Sequence, residues 1–532
     1  MKSKNKVPLP ESGIIVRRSG EYRYVYKILK TFRTDKGKPT NIRKAIGKLD
    51  DETGMLIPNA TYWELYESNH DTLDMSLSYK SVRSIGATFL ISRILEGLGV
   101  SAILSEVFGT NRAATIISSA IYMSCRGNIF ELATHCCEEF TFEEAPLTSQ
   151  GTSRLFSSIT FDEKMNFFKL WVLRCRYSSY LAYDVTSFST YANGIENAEY
   201  GYNRDKEKLP QINFGCYLAQ DTGIPLFYVI YPGSIVDKAH MTYMMAYNET
   251  LGISDVVFVM DRGFCMATNI RYMRSEKLAF ICGADISHKT TSSAVSKVKE
   301  TIISMKNVTF QGVYASSVKS EFYGITSTLH IYFDPLTAER QRQDLYRTVE
   351  HEDEKLAKSL QLSKREIKSY LKHFDIEELD DGTFKHARNY TKIDNEANNC
   401  GYFALLTNTD IYSEEALSIY RRKDSIEKGF DELKNHIDMK RLRSHNTNTT
   451  DGKMFCAFIS LIAVSELNRR LSVFMKDNYF TKNSLIAELE KIKIVTLTNG
   501  IQLMNPVTKT QRTIFEACTL GEDDLSRYIQ RS

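Results

Sequence analysis

The sequence predicts an α/β protein whose central sheet takes three strands in succession and then alternates strand with helix. Strand-like runs at 180–189, 211–220 and 224–232 come first, followed by helix 239–251, strand 255–261, helix 266–275 and strand 278–285. The sharpest of these is DVVFVMDRGF at 255–264, because a short, wholly apolar run marks a strand buried on both faces. Its polar end, Asp261-Arg262-Gly263, falls at the carboxyl end of the strand, where open α/β sheets hold their ligands. LAYDVTSFST at 181–190 repeats the theme, with Asp184 between Tyr183 and Val185 in a β-prone stretch. An Asp at a strand end also serves in turns, and Asp221 and Asp237 sit in turn-like contexts that read as structural. Three strands and then alternation is the order of an RNase H-like core.

A carboxylate partner for these aspartates lies in IYRRKDSIEKGFDELKNHI, residues 419–437, which reads as one helix. Tyr420, Lys423, Glu427 and Lys434 stand at offsets 0, 3, 7 and 14, or roughly 0°, 300°, 340° and 320° at about 100° per residue. Hydroxyl, carboxylate and ammonium groups thus share a stripe about 60° wide. Ile419, Ile426, Phe430, Leu433 and Ile437 form an apolar stripe beside it. Such a helix buries one edge and aims the other along the rim of the core, presenting a metal-binding carboxylate between phosphate-binding cations. A surface helix with i,i+4 charge pairs carries the same pattern.

The order Asp184, Asp261, then Glu427 inside Tyr-x2-Lys-x3-Glu-x6-Lys resembles the DDE-class transposases of bacterial and archaeal insertion sequences. The branch it is similar to is the one marked by Tyr-x2-Arg-x3-Glu-x6-Lys. The resemblance runs from about residue 180 to 475 and takes in HIYFDPLTAERQRQDLYR (330–347) and GYFALLTNTD (401–410). It implies an RNase H-like catalytic core in which Asp184, Asp261 and Glu427 are the catalytic residues and hold two Mg²⁺ ions, with Mn²⁺ able to substitute. Hard carboxylate oxygens suit Mg²⁺, and an ion pair about 3.5–4 Å apart activates the attacking oxygen and stabilises the leaving one. Tyr420, Lys423 and Lys434 would hold flanking DNA phosphates. Lys423 stands where the signature has Arg, keeping the charge but losing the planar fork. The implied reaction is hydrolysis at the ends of an insertion sequence, freeing 3′-hydroxyls that attack target DNA. The expected partners are double-stranded DNA, as element ends and as target, and a second copy of the chain in a DNA-bound homodimer. A DDE-type DNA endonuclease without strand transfer, or a non-catalytic DNA-binding protein derived from a transposase, would fit the same residues.

The remaining sequence divides around this core. At 532 residues and 42% hydrophobic content the chain is long enough for several domains with real cores. The formal charge of +3 excludes a global polycation, yet residues 1–50 carry fourteen Lys or Arg against four Asp or Glu, a net of +10. There Tyr22, Tyr24 and Tyr26 lie among basic residues in a strand-turn-strand pattern, with the turn at Lys36-Gly37-Lys38-Pro39. Basic residues interleaved with aromatics suit a surface that tracks a nucleic-acid backbone, and a solvated basic hairpin or a partly disordered tail has the same composition. We therefore expect a basic β-rich module over 1–82, ending in acidic, loop-like sequence around Asp71, and a helical region over 83–175. That region reads equally as a DNA-binding unit or as helices packed on the core. The core follows over 176–285, then an insertion over 286–399, the second part of the core with the signature helix over 400–475, and a C-terminal tail over 476–532.

The 166 positions between Asp261 and Glu427 exceed one crossover and require a large mixed β/α insertion, strand-like first, then charged and helical, then turning at Asp380-Asp381-Gly382. The resemblance implies contact with element-end DNA there. Some relatives stack a flipped base on a Trp in this region; here Trp63 and Trp171 lie outside it, so a flipped base would need Phe310, Tyr314, Phe322 or Tyr323, or the step does not occur. After Glu427, Lys440, Arg441 and Arg443 precede a polar loop that suits DNA contact, and the apolar helix beyond it reads as core.

Ten scattered cysteines without Cys-x-x-Cys read as reduced residues of a cytosolic protein, and His135 beside Cys136 and Cys137 matches no closed zinc site. The N-terminus lacks the apolar region of a signal peptide, and the longest mainly apolar stretch, Phe455 to Val464, is too short to span a bilayer. The expected location is the cytoplasm, at the nucleoid of a prokaryotic cell, with no membrane partner.

Overall fold

The computed structural model describes residues 6–33, 38–66, 79–127, 148–175, 179–203, 205–359, 362–379 and 383–530, together with Leu132, His135, Glu138 and Glu139. Lys36-Gly37, the stretch around Asp71, Cys136-Cys137 and Asp380-Asp381-Gly382 lie outside the described residues, as does the side chain of Asp237. The chain forms two units, Met1–Val82 with Val495–Leu503, and Arg83–Ile494 with Met504–Ser532.

In the smaller unit, β1 (Ile14–Ser19), β2 (Tyr22–Arg33), β3 (Pro39–Leu49) and β4 (Leu56–Pro58) make an antiparallel sheet in sequence order, followed by helix α1 (Ala60–Tyr66). Val25, Ile46 and Leu56 form its buried core, with Tyr62 and Tyr66 of α1 packed against them. The register puts Arg17, Tyr24 and Lys48 level across three strands. Directly opposed residues share a sheet face, so cations meet aromatic rings. Lys48 Nζ lies 3.9 Å from the Tyr22 ring centre and 5.4 Å from that of Tyr24, and the Arg43 guanidinium lies 5.4 Å from that of Tyr26.

The chain leaves this unit through β5 (Tyr79–Ser84). The larger unit is built on an eight-stranded mixed sheet. Its strands are β6 (Tyr180–Ser189), β7 (Gln211–Ala219), β8 (Pro225–Pro232), β9 (Val257–Met260), β10 (Ala279–Ala284), β11 (Tyr314–Phe322), β12 (Ile325–Phe333) and β15 (Tyr402–Thr407), in the order β11-β12-β15-β10-β9-β6-β7-β8. β9 pairs in parallel with both β6 and β10, and the other pairs are antiparallel. The central strands read as apolar runs because both faces are covered; β7 is buried at every position.

Helices α2 (Gly86–Leu98), α3 (Val100–Phe108) and α4 (Thr110–Arg126) and the helix Phe161–Arg174 pack with the long helix Thr447–Asp477, whose residues 452–464 are buried without interruption. A helix apolar all round belongs inside a core. Phe455 meets Phe108 at 5.5 Å and Phe167 at 5.2 Å between ring centres, and Phe458 meets Tyr228 at 5.1 Å. Gly99 ends α2 at φ 82°, a left-handed position where glycine avoids a Cβ clash.

Two regions differ from the sequence reading. The strand-rich start of the expected insertion joins the main sheet: β12 pairs with β15, Leu329 opposite Leu406, and Leu329, Ile331 and Tyr332 are buried. What stands apart is residues 335–397, where the hairpin β13 (Phe374–Glu378) and β14 (Phe384–Arg388) and the flanking helices share a separate core of Leu345, Val349, Leu356, Phe374, Ile393 and Ala397. The helices of the last segment are built into the core of the larger unit, while Val495–Leu503 belong to the smaller one. β16 (Lys493–Leu497) and β17 (Gln502–Met504) precede helices Lys509–Ala517 and Glu522–Gln530, from which Phe515 and Tyr528 each meet Phe89 at 5.3 Å. Among the described residues no single helix is long and apolar enough to cross a membrane, and the eight described cysteines are free.

Phe515→Ala removes a fully buried ring at this junction and should cost about 3–5 kcal/mol of stability by urea unfolding. A loss under about 1 kcal/mol would show that the C-terminal helices are not part of the cooperative core.

Candidate active site

The site is set by strand register. β6 and β9 run parallel with Tyr183 opposite Met260, so the next residues stand side by side, Asp184 in the middle of β6 and Asp261 just past the carboxyl end of β9. Asp184 lies inside β6, 6% exposed, and its Oδ1 accepts from the Val185 N–H at 2.8 Å. Asp261 follows the last residue of β9 and is exposed at the start of a tight turn, Arg262–Phe264. The Tyr420 hydroxyl donates to Asp261 Oδ1 at 3.2 Å. Burial, then the neighbouring carboxylate, pushes that hydroxyl far above the ordinary tyrosine range, so it remains a donor. Its approach depends on Gly283 of β10: a Cβ there would lie 2.9 Å from the Tyr420 hydroxyl and 3.1 Å from the Arg262 nitrogen.

The segment read as one helix is three pieces: Ser413–Arg421, Asp424–Asp431 and a π turn over Glu432–His436. At the break Lys423 N bonds Tyr420 O at 3.1 Å, Ser425 N bonds Arg422 O at 3.1 Å and Ile426 N bonds Lys423 O at 2.9 Å, i→i+3 contacts tighter than an α-helix. Constant angular spacing therefore fails across residues 422–423. Tyr420 sits before the break, over Asp261. Lys423 sits at it, 5% exposed, with Nζ 3.2 Å from Glu427 Oε1. Glu427 lies beyond, its side chain 62% exposed. Lys434 lies in the π turn, where Nζ meets Asp205 Oδ2 at 2.9 Å.

Asp184, Asp261, Glu427 and Lys434 line one open cavity of about 380 Å³. Tyr420 reaches it through Asp261 and Lys423 through Glu427. The cavity also takes in Asp205, Asp431 and Asn435, which sequence reasoning missed. Asp431 and Asn435 stand four and eight residues after Glu427 and were visible as its helical face. Asp205 arrives from the β6–β7 connection, whose path no local pattern announces. A larger cavity of about 920 Å³ shares Asp261 and is lined in part by His288, Phe322 and Tyr323, two of the aromatic residues considered for a flipped base.

Among the described residues no three His, Cys, Asp or Glu side chains converge into a ready-made metal cage. The donor chemistry nevertheless fits a hard divalent cation. Among the described residues, Asp184, Asp205, Asp261, Glu427 and Asp431 line the cavity against the single ammonium of Lys434. Such an excess of negative charge repels a phosphate until cations offset it.

The chain belongs to the transposase DDE domain family, which matches it over residues 178–463. No curated protein matches it. Among solved structures it is similar to piggyBac transposase in a synaptic complex with hairpin DNA, at 11% identity and a TM-score of 0.31 over 69% of this chain. The match spans 61% of the length of that protein.

Gly283→Ala should crowd Tyr420 off Asp261 and destabilise the fold by about 1–3 kcal/mol, whereas Tyr420→Phe, which removes only the hydrogen bond, should cost about 0.5–1.5 kcal/mol. Denaturant unfolding of both variants checks the order; equal stability of Gly283→Ala and wild type would show that this close approach relaxes freely.

Proposed function

We propose that this cavity carries out DNA cleavage at the ends of an insertion sequence and joins the freed 3′-hydroxyls to target DNA, with Asp184, Asp261 and Glu427 holding two Mg²⁺ ions, or Mn²⁺ in their place. The observation that carries the reading is the register that sets Asp184 beside Asp261, with Glu427 lining the same cavity, inside the stretch that matches the family. Bound there, the ions would supply activation of the attacking oxygen and charge stabilisation at the leaving oxygen.

The chain's own residues divide the remaining work. Asp184, fixed within β6, would be the rigid ligand to the ions. Tyr420 orients Asp261 by donating to Oδ1, and Oδ2 would be left to serve as the ligand. Glu427 is exposed and held only through Lys423, so a rotamer change frees it to complete the ligand set. Lys423, Lys434 and Tyr420 form the phosphate-binding edge, as in the Tyr-x2-Arg-x3-Glu-x6-Lys signature, with Lys423 acting as a point charge in place of the guanidinium fork. The β6, β7, β8, β9 and β10 arrangement is read as an RNase H-like core. The basic tyrosine face of the N-terminal sheet supports a second DNA contact. Joining two ends to one target needs two such cavities, so the active form is a DNA-bound homodimer, acting at the nucleoid of a prokaryotic cell.

Asp184→Asn, Asp261→Asn and Glu427→Gln should each abolish Mg²⁺-dependent cleavage of element-end DNA while leaving its binding largely intact. Near wild-type cutting by any one of them removes that residue from the ligand set. Incubation of wild type with end DNA and a target plasmid should yield joined product. Cleaved ends without joining would make the protein an endonuclease instead. Lys423→Ala should slow processing by about 1.5–3 kcal/mol, roughly ten- to hundredfold, and Lys423→Arg should preserve it.

A further inference from the structure

The connection between β6 and β7, residues 190–210, is far longer than the two to five or so residues that ordinarily join an antiparallel pair, and loops of such length are usually functional. Its far end is organised by Asn203, whose Oδ1 accepts from the Asp205 N–H at 2.8 Å and the Glu207 N–H at 3.4 Å. The turn so formed presents two carboxylates to the segment that follows the Glu427 helix. Asp205 Oδ2 meets Lys434 Nζ at 2.9 Å. Glu207 Oε1 accepts from Arg441 Nη2 at 2.6 Å, Arg441 Nη1 stands 2.6 Å from Oε2 as an ion-pair contact, and Lys440 Nζ stands 4.0 Å away. Backbone contacts hold the two segments in register: Leu442 N donates to Ser189 O at 3.1 Å, and the Arg441 guanidinium lies 5.6 Å from the Tyr191 ring centre.

Lys434, Lys440 and Arg441 are thus cations with an internal anion. All lie on the segment after the Glu427 helix, and Lys434 and Asp205 line the catalytic cavity itself. The Lys434, Asp205, Arg441 and Glu207 side chains are half-buried, and a half-buried charge without a partner is costly. Arg441, the largest influence on Glu207, holds its carboxyl below the ordinary glutamate range.

We propose that Asp205 and Glu207, the two carboxylates of the otherwise basic run Arg204-Asp205-Lys206-Glu207-Lys208, form a strap that stands where DNA phosphates go, so that double-stranded DNA must displace it to reach Lys434, Lys440 and Arg441. The strap neutralises the phosphate-binding cations while the protein is free of DNA, and its two ion pairs are exchanged for phosphate contacts when the duplex seats. It rests on the reading of the cavity as a DNA-processing site and adds to it a device that weakens binding to arbitrary DNA. The carboxylates compete with the phosphates for the same donors.

The test is the affinity of the full-length protein for a mixed-sequence duplex oligonucleotide across a salt series, for wild type, Asp205→Asn/Glu207→Gln, Lys434→Gln and the triple combination. Thermal melting establishes that each is folded. The double variant should bind at least about tenfold more tightly, with a log K against log[salt] slope steeper by about one to two, at roughly 0.9 per phosphate newly engaged without competition. Lys434→Gln should remove the part of that gain that Asp205→Asn contributes, which a merely structural role for Asp205 would not do. If wild type binds the duplex and the double variant binds no tighter, or more weakly, the strap inference alone is overturned. If wild type binds no duplex at any salt, the DNA-processing reading fails and takes the strap with it.

Discussion

Everything at the candidate site depends on one register, the parallel pairing of β6 with β9 that levels Tyr183 with Met260. Side chains alternate across a strand, so a slip of one residue would turn Asp184 to the opposite face from Asp261 and dissolve the pair. What fixes the register is burial. Leu181, Ala182 and Tyr183 and their partners Phe258, Val259 and Met260 are all nearly or fully excluded from water, so the hydrophobic core and the carboxylate pair are the same structural fact. Gly283 on the next strand extends the constraint, since only there can the Tyr420 hydroxyl come close enough to hold Asp261.

The charges around the cavity obey a common rule. Beside Asp184, whose Oδ1 accepts from the Val185 N–H, the charged groups at and near the cavity are paired with one another or with a hydroxyl: Glu427 with Lys423, Asp205 with Lys434, Glu207 with Arg441, Asp261 with the Tyr420 hydroxyl. Half-buried ions left alone would be destabilising, and internal pairing avoids this without closing the cavity. The same pairing explains why no metal cage is preformed among the described residues. Glu427 is drawn toward Lys423, and on the proposed reading it turns from that contact toward the cation.

How much of this was legible in the sequence follows from the range of the interactions involved. The strands around Asp184 and Asp261 were readable because apolar runs report burial directly, and their observed bounds, Tyr180–Ser189 and Val257–Met260, fall within or match the expected ones. Glu427 and Lys434 were readable from helical spacing, yet the break at 422–423 was not, because three i→i+3 bonds and the burial of Lys423 are decided by the core beneath. The placement of β11 and β12 in the main sheet was missed for a similar reason: Leu329 pairs with Leu406, a partner far along the chain that leaves no local pattern. Asp205 was invisible because its position is a property of a long connection held by Asn203 and by residues after position 433.

The central claim is that Asp184, Asp261 and Glu427 jointly hold divalent cations where β9 ends beside the middle of β6. Anomalous diffraction from crystals soaked in Mn²⁺ tests it most directly. The account predicts anomalous density between Asp184 and Asp261, with Glu427 turned away from Lys423 toward the ion, and its loss in Asp184→Asn crystals. Mn²⁺ bound elsewhere with this cavity empty, or density unchanged in Asp184→Asn, would contradict it.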